Sequence, residues 1–376
     1  MSIKTLSKKM LAIVAAGAMT LGLAMPTSVF AAEGDTTSNV KEAYISKTFN
    51  TVVGKDETFS FKAEQVAGNT AEVNIPDIRF SASETGSIKR RAKVTFPKWP
   101  DAGKYEYTVT ETGADPAITD TEHQKMIMSL AEYTMDVYVT NGESGLEIAN
   151  IIVNKTKDDK GTSATGKVDI SDTDKNGFNF TNTYAQEAGT GTDPTKPDPT
   201  YTTDGSLNVT KKINANGGTV NTKKAFDFTA TFTFPKGTDA TTLGGVKDAD
   251  GKIITINEDG TYKFTLTANG NMKFTGVPVG TQISVLESAT PNYKGSAESV
   301  FNGQKQTPVE ASKYNTAFHV ANTLGQKQNK VDVTNTYDYV PTTGIIMNTL
   351  PYVLMIALCG AALIAFVAFK RRRLQK

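Results

Sequence analysis

Two sets of three residues, one in each half of the chain, combine an amine, a carboxyl and a carboxamide in the same order. The sets are Lys47, Glu111 and Asn182, and Lys211, Glu287 and Asn335. A lysine amine is a nucleophile only when it is neutral, and burial in an apolar core lowers its pKa. The same burial raises the pKa of a carboxyl group, so a glutamate buried beside such a lysine can be protonated, donate a hydrogen bond to the side-chain carbonyl oxygen of the asparagine and relay a proton.

The segments that carry these residues form an internal repeat. The two halves begin alike, at 44–49 and 207–213, and they end alike, with FTNTY at 180–184 and VTNTY at 333–337. In each half the glutamate ends an alternating segment, at 107–111 or 283–287. From Lys to Glu the separations are 64 and 76 residues, and from Lys to Asn they are 135 and 124. Such an ordered repeat indicates one set per domain.

The second set has rivals for two of its members. Lys211 is followed by Lys212, whose side chain points to the opposite face under the alternation of a strand. Lys211 is the better candidate because it aligns with Lys47. Under the same alternation, its side chain also points to the same face as the apolar residues two positions before and after it. Asn322 is a weaker rival for Asn335. Each residue alone would be ordinary in a threonine-rich extracellular sheet.

The pattern between the termini is typical of strands. Alternating apolar and polar residues run through 105–110 and 226–234, and turn signals such as Asn-Gly at 141–142 and Asp-Gly at 259–260 separate such segments. These features predict an all-β protein with two tandem Ig-like β-sandwich domains. Only Thr121 to Leu130 suggests a short helix or a surface excursion.

The chain divides into five segments. Lys4, Lys8 and Lys9 precede an apolar stretch that small residues close near Ala32, so 1–32 is predicted to be a secretory signal peptide. Residues 33–186 form the first predicted domain and 205–339 the second. Between them, 187–204 contains three prolines and favours an extended, semi-rigid linker. The single cysteine, Cys359, lies in the last segment, 340–376, so disulfides are not expected in the two domains.

The last segment combines a short motif, an apolar run and a basic tail. The motif is Val340, Pro341, Thr342, Thr343 and Gly344. The twenty residues 350–369 would rise about 30 Å as a helix, enough to cross a bilayer, and the basic residues after them would stop transfer. Because proline fixes φ and lacks an N–H, we expect the motif to be extended. The alternative is an ordinary single-span anchor.

Several function classes are disfavoured. With 40 basic and 39 acidic residues there is no basic stripe for nucleic acid, and two histidines make His-dependent catalysis improbable. Residues 172–177 begin like a calcium loop, but Thr183 stands where a bidentate Glu is required, so a polar turn is the better interpretation. Hydrolase motifs such as Gly-x-Ser-x-Gly are missing. We predict no cofactor and no metal site.

The repeated triplet and the C-terminal motif resemble those of Gram-positive sortase-assembled major (backbone) pilins with CnaB-like isopeptide-forming domains. In that family a Lys on the first strand condenses with an Asn on the last strand, while a Glu assists. The resemblance implies bonds from Lys47 to Asn182 and from Lys211 to Asn335. It gives the assisting role to Glu111 and Glu287. The protein would then catalyse only its own single-turnover modification.

The resemblance also implies how subunits are joined. A sortase would cut between Thr343 and Gly344 and pass the Thr carbonyl to a lysine of the next subunit. The Tyr-Pro-Lys-Asn motif of some shaft pilins is absent, and Lys175, followed by Asn176, is our choice of acceptor. The rivals in the same region are Lys155, Lys157, Lys160 and Lys167.

The implied partners and location follow from that assembly. The partners are a sortase, identical subunits in a head-to-tail polymer, other pilins and peptidoglycan, with a host surface as a further candidate. The implied location is the cell wall or pilus surface, reached by secretion through a membrane-anchored precursor. The alternative is a minor pilin or adhesin anchored directly to peptidoglycan.

Overall fold

The computed structural model describes residues 40–373 except 67, 69, 119–120, 171–176 and 340–341. This part of the chain is almost entirely β-structure, with two sandwich domains and one long C-terminal helix. The all-β fold expected from the alternating segments is therefore confirmed. The signal peptide predicted over 1–32 lies outside the described residues.

Within the residues that the structure describes, the N-terminal sandwich contains ten strands in two sheets. Their bounds are β1 Tyr44–Thr51, β2 Glu57–Gln65, β3 Ile78–Phe80, β4 Gly86–Lys93, β5 Gly103–Asp115, β6 Gln124–Ile127, β7 Glu132–Gly142, β8 Gly145–Lys157, β9 Ser163–Val168 and β10 Asn179–Gln186. One sheet has the order β4-β1-β10-β6 and the other β3-β2-β5-β7-β8-β9. Apolar residues of both sheets, such as Phe49 and Tyr107, meet in one core.

The C-terminal sandwich repeats this plan with ten further strands. Their bounds are β11 Leu207–Asn214, β12 Phe226–Thr233, β13 Thr261–Leu266, β14 Asn271–Phe274, β15 Gln282–Glu287, β16 Tyr293–Phe301, β17 Gln304–Lys305, β18 Val309–Glu310, β19 Phe318–Thr323 and β20 Lys330–Tyr337. One sheet has the order β14-β11-β20-β16-β17, with β18 also on β16, and the other β13-β12-β15-β19. Apolar residues of both sheets fill a second core.

In each sandwich the first and last strands are parallel neighbours. β1 pairs with β10 so that Phe49 lies opposite Asn182, and β11 pairs with β20 so that Ile213 lies opposite Asn335. In both pairs the candidate lysine is two residues before the residue opposite the asparagine. Because side chains on a strand alternate between faces, this shared register puts each lysine and asparagine on the core side of the same sheet.

Two local expectations were wrong. The segment that suggested a helix or a surface excursion contains strand β6, which pairs with β10 and completes that sheet. The linker is not extended throughout, because Pro199–Asp204 forms a short helix, α1. It is also not fully solvated: Glu187 is buried, and its carboxylate accepts hydrogen bonds from Tyr201 (2.6 Å) and Ser206 (2.7 Å). These contacts give the polar linker partners that its composition did not reveal.

The C-terminal helix, α2, spans Thr342–Arg373. It contains the segment Pro351–Lys370, which is long and apolar enough to cross a membrane, with a mean hydropathy of 2.6. None of that segment is buried against the rest of the protein. The expected extended cleavage motif is not seen, because Thr342, Thr343 and Gly344 lie in the first turn of α2.

Candidate functional site

The core of the N-terminal domain contains a buried contact between the three predicted residues. Lys47 comes from β1, Asn182 from β10 beside it, and Glu111 from β5 in the opposite sheet. The Lys47 ammonium donates to Glu111 Oε1 at 2.6 Å, and the Asn182 amide nitrogen donates to the same oxygen at 2.8 Å. The side chains of Lys47 and Glu111 are fully buried. One carboxylate oxygen therefore touches both the amine and the amide nitrogen.

The other atoms of Asn182 also have partners. Its Oδ1 accepts a hydrogen bond from the backbone N–H of Ser129 at 2.7 Å, and its Nδ2 lies 3.2 Å from the thioether of Met128. Since a backbone N–H can only donate, the atom facing Ser129 must be the oxygen. This fixes the direction in which the nitrogen of Asn182 points, which is toward Glu111.

The C-terminal domain has the same contact, but the hydrogen-bond partners of its asparagine differ. Lys211 donates to Glu287 Oε2 at 2.9 Å, and the amide nitrogen of Asn335 donates to Glu287 Oε1. All three residues are buried. Among the residues that the structure describes, however, Asn335 Oδ1 has no hydrogen-bond partner.

Aromatic rings complete both sites. The Lys47 nitrogen is 4.2 Å from the ring centre of Phe59, and the Lys211 nitrogen is 4.1 Å from that of Phe226. Each ring is on the strand that pairs with the strand of the glutamate. Aromatic faces attract a cation but cannot accept its protons as water would. The surroundings of each lysine nitrogen are therefore apolar apart from the carboxylate.

Burial shifts the titration of all four ionisable groups. It lowers the pKa of Lys47 and of Lys211 to about 8, although the neighbouring carboxylate works against the shift. Burial likewise raises the pKa of Glu111 and of Glu287, opposed by the lysine beside each. The two shifts bring amine and carboxyl closer in basicity, which makes the neutral amine with a protonated carboxyl more accessible than in water.

The other candidate residues from the sequence do not take part in the two buried contacts. Lys212 is exposed, whereas Lys211 is buried, and Asn322 is on β19, in the sheet that does not contain β11. Lys175, Val340 and Pro341 lie outside the described residues. Of the rival acceptors, Lys157, Lys160 and Lys167 are exposed, and Lys157 also donates a hydrogen bond to Glu132 at 2.9 Å.

Sequence reasoning missed the residues that hold Asn182. Ser129 is fixed by Asp159, whose Oδ1 accepts from the Ser129 hydroxyl at 2.6 Å and from the Thr181 N–H at 2.8 Å. The Ser129 hydroxyl in turn accepts from Ala131 N–H at 3.2 Å. No motif marks these positions, and the glutamate was expected to face the amide oxygen rather than its nitrogen.

The described residues offer no alternative metal site. In 40–373, with the gaps given above, no group of three or more His, Cys, Asp or Glu side chains is arranged to hold a metal ion. The calcium-like run at 172–177 lies almost wholly in one of those gaps. The two Lys–Glu–Asn contacts are therefore the buried polar clusters with the clearest chemistry in this part of the chain.

Comparisons with known proteins find one family model for each domain. Residues 43–185 match the family model of the Spy0128-like isopeptide containing domain, and residues 205–337 match that of a domain of unknown function, DUF7601. No curated protein matches the chain.

Pilins are among the solved structures to which the chain is similar. The major pilin of Streptococcus pyogenes is 19% identical, with 79% of this chain and 99% of that chain covered and a TM-score of 0.30. Another S. pyogenes major pilin is 19% identical, with 80% and 99% covered and a TM-score of 0.29. A Mobiluncus mulieris adhesin with intramolecular disulfide, isopeptide and ester bond cross-links is 11% identical, with 76% and 86% covered and a TM-score of 0.25.

The class that the fold and the two sites define is a protein of tandem β-sandwich domains, each with a buried Lys–Glu–Asn cluster, and a C-terminal apolar helix. More particularly, residues 43–185 are similar to the Spy0128-like isopeptide containing domain, and this match covers less than half of the chain.

Proposed function

We propose that this protein is the shaft subunit of a covalent pilus and that each of its two sandwiches is closed by a self-generated Lys–Asn bond. The observation that carries the proposal is a buried glutamate that touches both a lysine amine and an asparagine amide. In both domains this glutamate joins a lysine on the first strand to an asparagine on the last strand. A structural ion pair would need no amide on the same carboxylate.

The chemistry follows from the contacts. A proton moves from the lysine to the glutamate, and the neutral amine attacks the side-chain carbonyl carbon of the asparagine. The protonated glutamate then gives its proton to the amide nitrogen, which leaves as ammonia, and takes up the surplus proton of the attacking amine. Because the fold holds both partners in place, proximity supplies much of the acceleration. Each domain reacts once, so the result is a cross-link and not turnover.

The position of the bonds suits a fibre under tension. Force on a sandwich that enters near one terminal strand and leaves by the other would otherwise slide β11 past β20, breaking their hydrogen bonds together. A covalent link between Lys211 and Asn335 ties these strands directly. The chain between them is then not extended, and the same argument applies to Lys47 and Asn182.

Mass spectrometry of the intact chain tests the internal bonds. We expect a mass lower than that of the sequence by two ammonias, and we expect Glu111→Ala and Glu287→Ala each to restore one. General acid–base catalysis typically accelerates a reaction by about 10² to 10⁴-fold, so removing either glutamate should leave its domain without the internal bond. Glu64→Ala, at an exposed glutamate, is the control. A wild-type mass equal to that of the sequence would exclude the bonds.

Polymerisation by a sortase is the second half of the proposal. The sequence of Val340 to Gly344, followed by an apolar helix and a basic tail, supports a cell-surface precursor that is cut between Thr343 and Gly344. We expect Thr343→Ala to leave the protein membrane-associated and unpolymerised, because no acyl-enzyme forms. Thr342→Ala is the matched control for a change next to the scissile bond. A normal high-mass ladder from Thr343→Ala would refute the assignment.

The accepting lysine must be exposed, unlike Lys47 and Lys211, and it must be remote from Thr343 so that joining gives an open filament. We assign Lys175 on its sequence context. Lys175→Ala should abolish the ladder while both internal bonds persist, and Lys157→Ala, Lys160→Ala and Lys167→Ala test its exposed rivals. Tandem mass spectrometry of the cross-linked peptide identifies the acceptor directly, and a lysine of the C-terminal domain would reverse the assigned polarity.

The rival function is a minor pilin or adhesin attached directly to peptidoglycan. It would use the same cleavage motif but would need no accepting lysine. Immunoblots of wall extracts distinguish the two: a ladder indicates a shaft subunit, and one discrete band indicates a wall-anchored monomer.

A further inference from the structure

The Ser129 backbone N–H lies where negative charge would develop during bond formation in the N-terminal domain. When an amine adds to the Asn182 carbonyl carbon, the electron pair of the C=O bond moves onto Oδ1. Ser129 N–H already points at this atom, at 2.7 Å. Donors at that distance from a developing oxyanion are a main source of stabilisation in acyl transfer.

The donor is held in place by a short network. Asp159 binds the Ser129 hydroxyl and also the N–H of Thr181, the residue before Asn182. The Asp159 carbonyl accepts from Leu130 N–H at 3.0 Å. One residue therefore positions both the donor segment and the strand that carries the electrophile. A preorganised donor needs no rearrangement at the moment of reaction.

The N–H is free for this use because β6 ends early. β6 is paired with β10 only as far as Ile127, opposite Thr183. Beyond this point the chain leaves the ladder, and the N–H of Ser129 turns to the side chain of Asn182 instead of to a backbone carbonyl. In the C-terminal domain the neighbour of the last strand, β16, continues past the site, with Gly295 opposite Asn335.

We propose that the Ser129 N–H is the oxyanion donor for bond formation in the N-terminal domain, with Asp159 as its positioning residue. This inference rests on the proposed Lys47–Asn182 bond. The neutral Lys47 amine adds to Cγ, and Oδ1 takes the electron pair while it is bonded to Ser129 N–H. Glu111 moves the surplus proton of the amine to Nδ2, the Cγ–Nδ2 bond breaks, ammonia leaves, and the carbonyl re-forms.

Pulse-labelling of the full chain in cells tests the rate. Peptide mass spectrometry follows the loss of ammonia in each domain, so the C-terminal bond is an internal control in the same molecule. Ser129→Pro removes the N–H and should slow the N-terminal bond by about 10² to 10³-fold. Ser129→Ala keeps the N–H and should have a much smaller effect. Asp159→Ala should slow the bond, and Asp159→Asn, which keeps an acceptor oxygen, should restore most of the rate.

A second measurement covers the case in which Ser129→Pro does not fold. In Lys47→Met, which cannot react, hydrogen exchange at the Ser129 N–H should be slow, and adding Asn182→Ala should accelerate it selectively. An unchanged bonding rate in folded Ser129→Pro, or exchange at Ser129 that is indifferent to Asn182, would overturn the inference. A wild-type chain that loses no ammonia from the N-terminal domain would instead overturn the proposed bond itself.

Discussion

The two sandwich domains share the contact between Lys, Glu and Asn but differ in what surrounds the amide. Lysine and asparagine have the same relative register in both, and both lysines lie about 4 Å from a phenylalanine ring centre. The amide oxygen of Asn182 is hydrogen-bonded by Ser129, whereas that of Asn335 has no partner among the described residues.

The difference comes from the strand on the far side of the last strand. In the N-terminal domain that strand is β6, of four residues, and its end frees a backbone N–H for the site. In the C-terminal domain it is β16, of nine residues, whose ladder continues past Asn335. The ring of Phe318 also covers Gly295 there, because a Cβ on Gly295 would lie 2.1 Å from a ring atom. Strand register thus sets which groups are in contact, and the neighbouring strand sets how the amide is held.

The largest expected effect is one that the two domains share. Lys47→Met and Lys211→Met remove the proposed bond, which would span 135 or 124 residues, so each should lower the free energy of unfolding of its domain by about 4 to 5 kcal/mol. Lys212→Met is the control for Lys211, because it is the exposed neighbour on the same strand. Lys62→Met, which changes an exposed lysine, is the control for Lys47→Met.

Calorimetry, with limited proteolysis to assign each transition to a domain, measures these changes. Loss of stability in Lys212→Met equal to that in Lys211→Met would contradict the assignment of the buried lysine. Equal stability of Lys211→Met and the wild type would mean that the C-terminal domain is not cross-linked.

A smaller effect should separate the domains. Asn182→Ala and Asn335→Ala each remove the bond and the same side-chain atoms. Only Asn182→Ala also leaves a buried backbone N–H, that of Ser129, without its acceptor. An unsatisfied buried donor costs about 1 to 3 kcal/mol, so Asn182→Ala should destabilise its domain by that much more.

The measurement for this pair is the denaturant midpoint of each domain, followed by hydrogen exchange. Lys47→Met and Lys211→Met are the reference pair, since they remove the bonds but keep both amides. A difference between the asparagine variants no larger than that between the lysine variants would show that Ser129 contributes nothing to the N-terminal site.

The sequence predicted what repeats and missed what does not. Lys47 and Lys211 could be aligned because matching segments surround them, and parity placed the side chain of Lys211 inward and that of Lys212 outward, as the structure has them. The roles of these residues stay a prediction. The all-β fold followed from alternation, which reports directly on a half-buried strand.

The missed features depend on contacts distant in sequence. Ser129 and Asp159 are 53 and 23 residues before Asn182, and neither has a counterpart in the C-terminal repeat. The short strand β6 was interpreted as a possible helix because four residues carry little periodic signal, and only its pairing with β10 defines it. Likewise, the prolines of the linker did not reveal that Glu187 finds buried partners in α1 and beyond.

The smallest expected difference between the domains is in the pH dependence of bond formation. The reactive state is a neutral lysine beside a protonated glutamate, so each pair must hold one titrating proton between the two groups. On the acid side a second proton keeps the lysine charged, and the rate should fall below the raised pKa of the glutamate. On the alkaline side the shared proton is lost, and the rate should fall above the lysine pKa of about 8.

Because burial sets these values alike in the two domains, the alkaline limbs of the two profiles should coincide. The Ser129 N–H does not titrate in this range, so it should raise the height of the N-terminal profile without moving it. Refolding the unmodified chain across a pH series, with ammonia loss followed for each domain, measures both profiles. If the alkaline limbs of the two domains differ in pH, the groups around the amide must also change the basicity of the lysine. The orientation of the amide and the proton transfer would then not be separable at these sites.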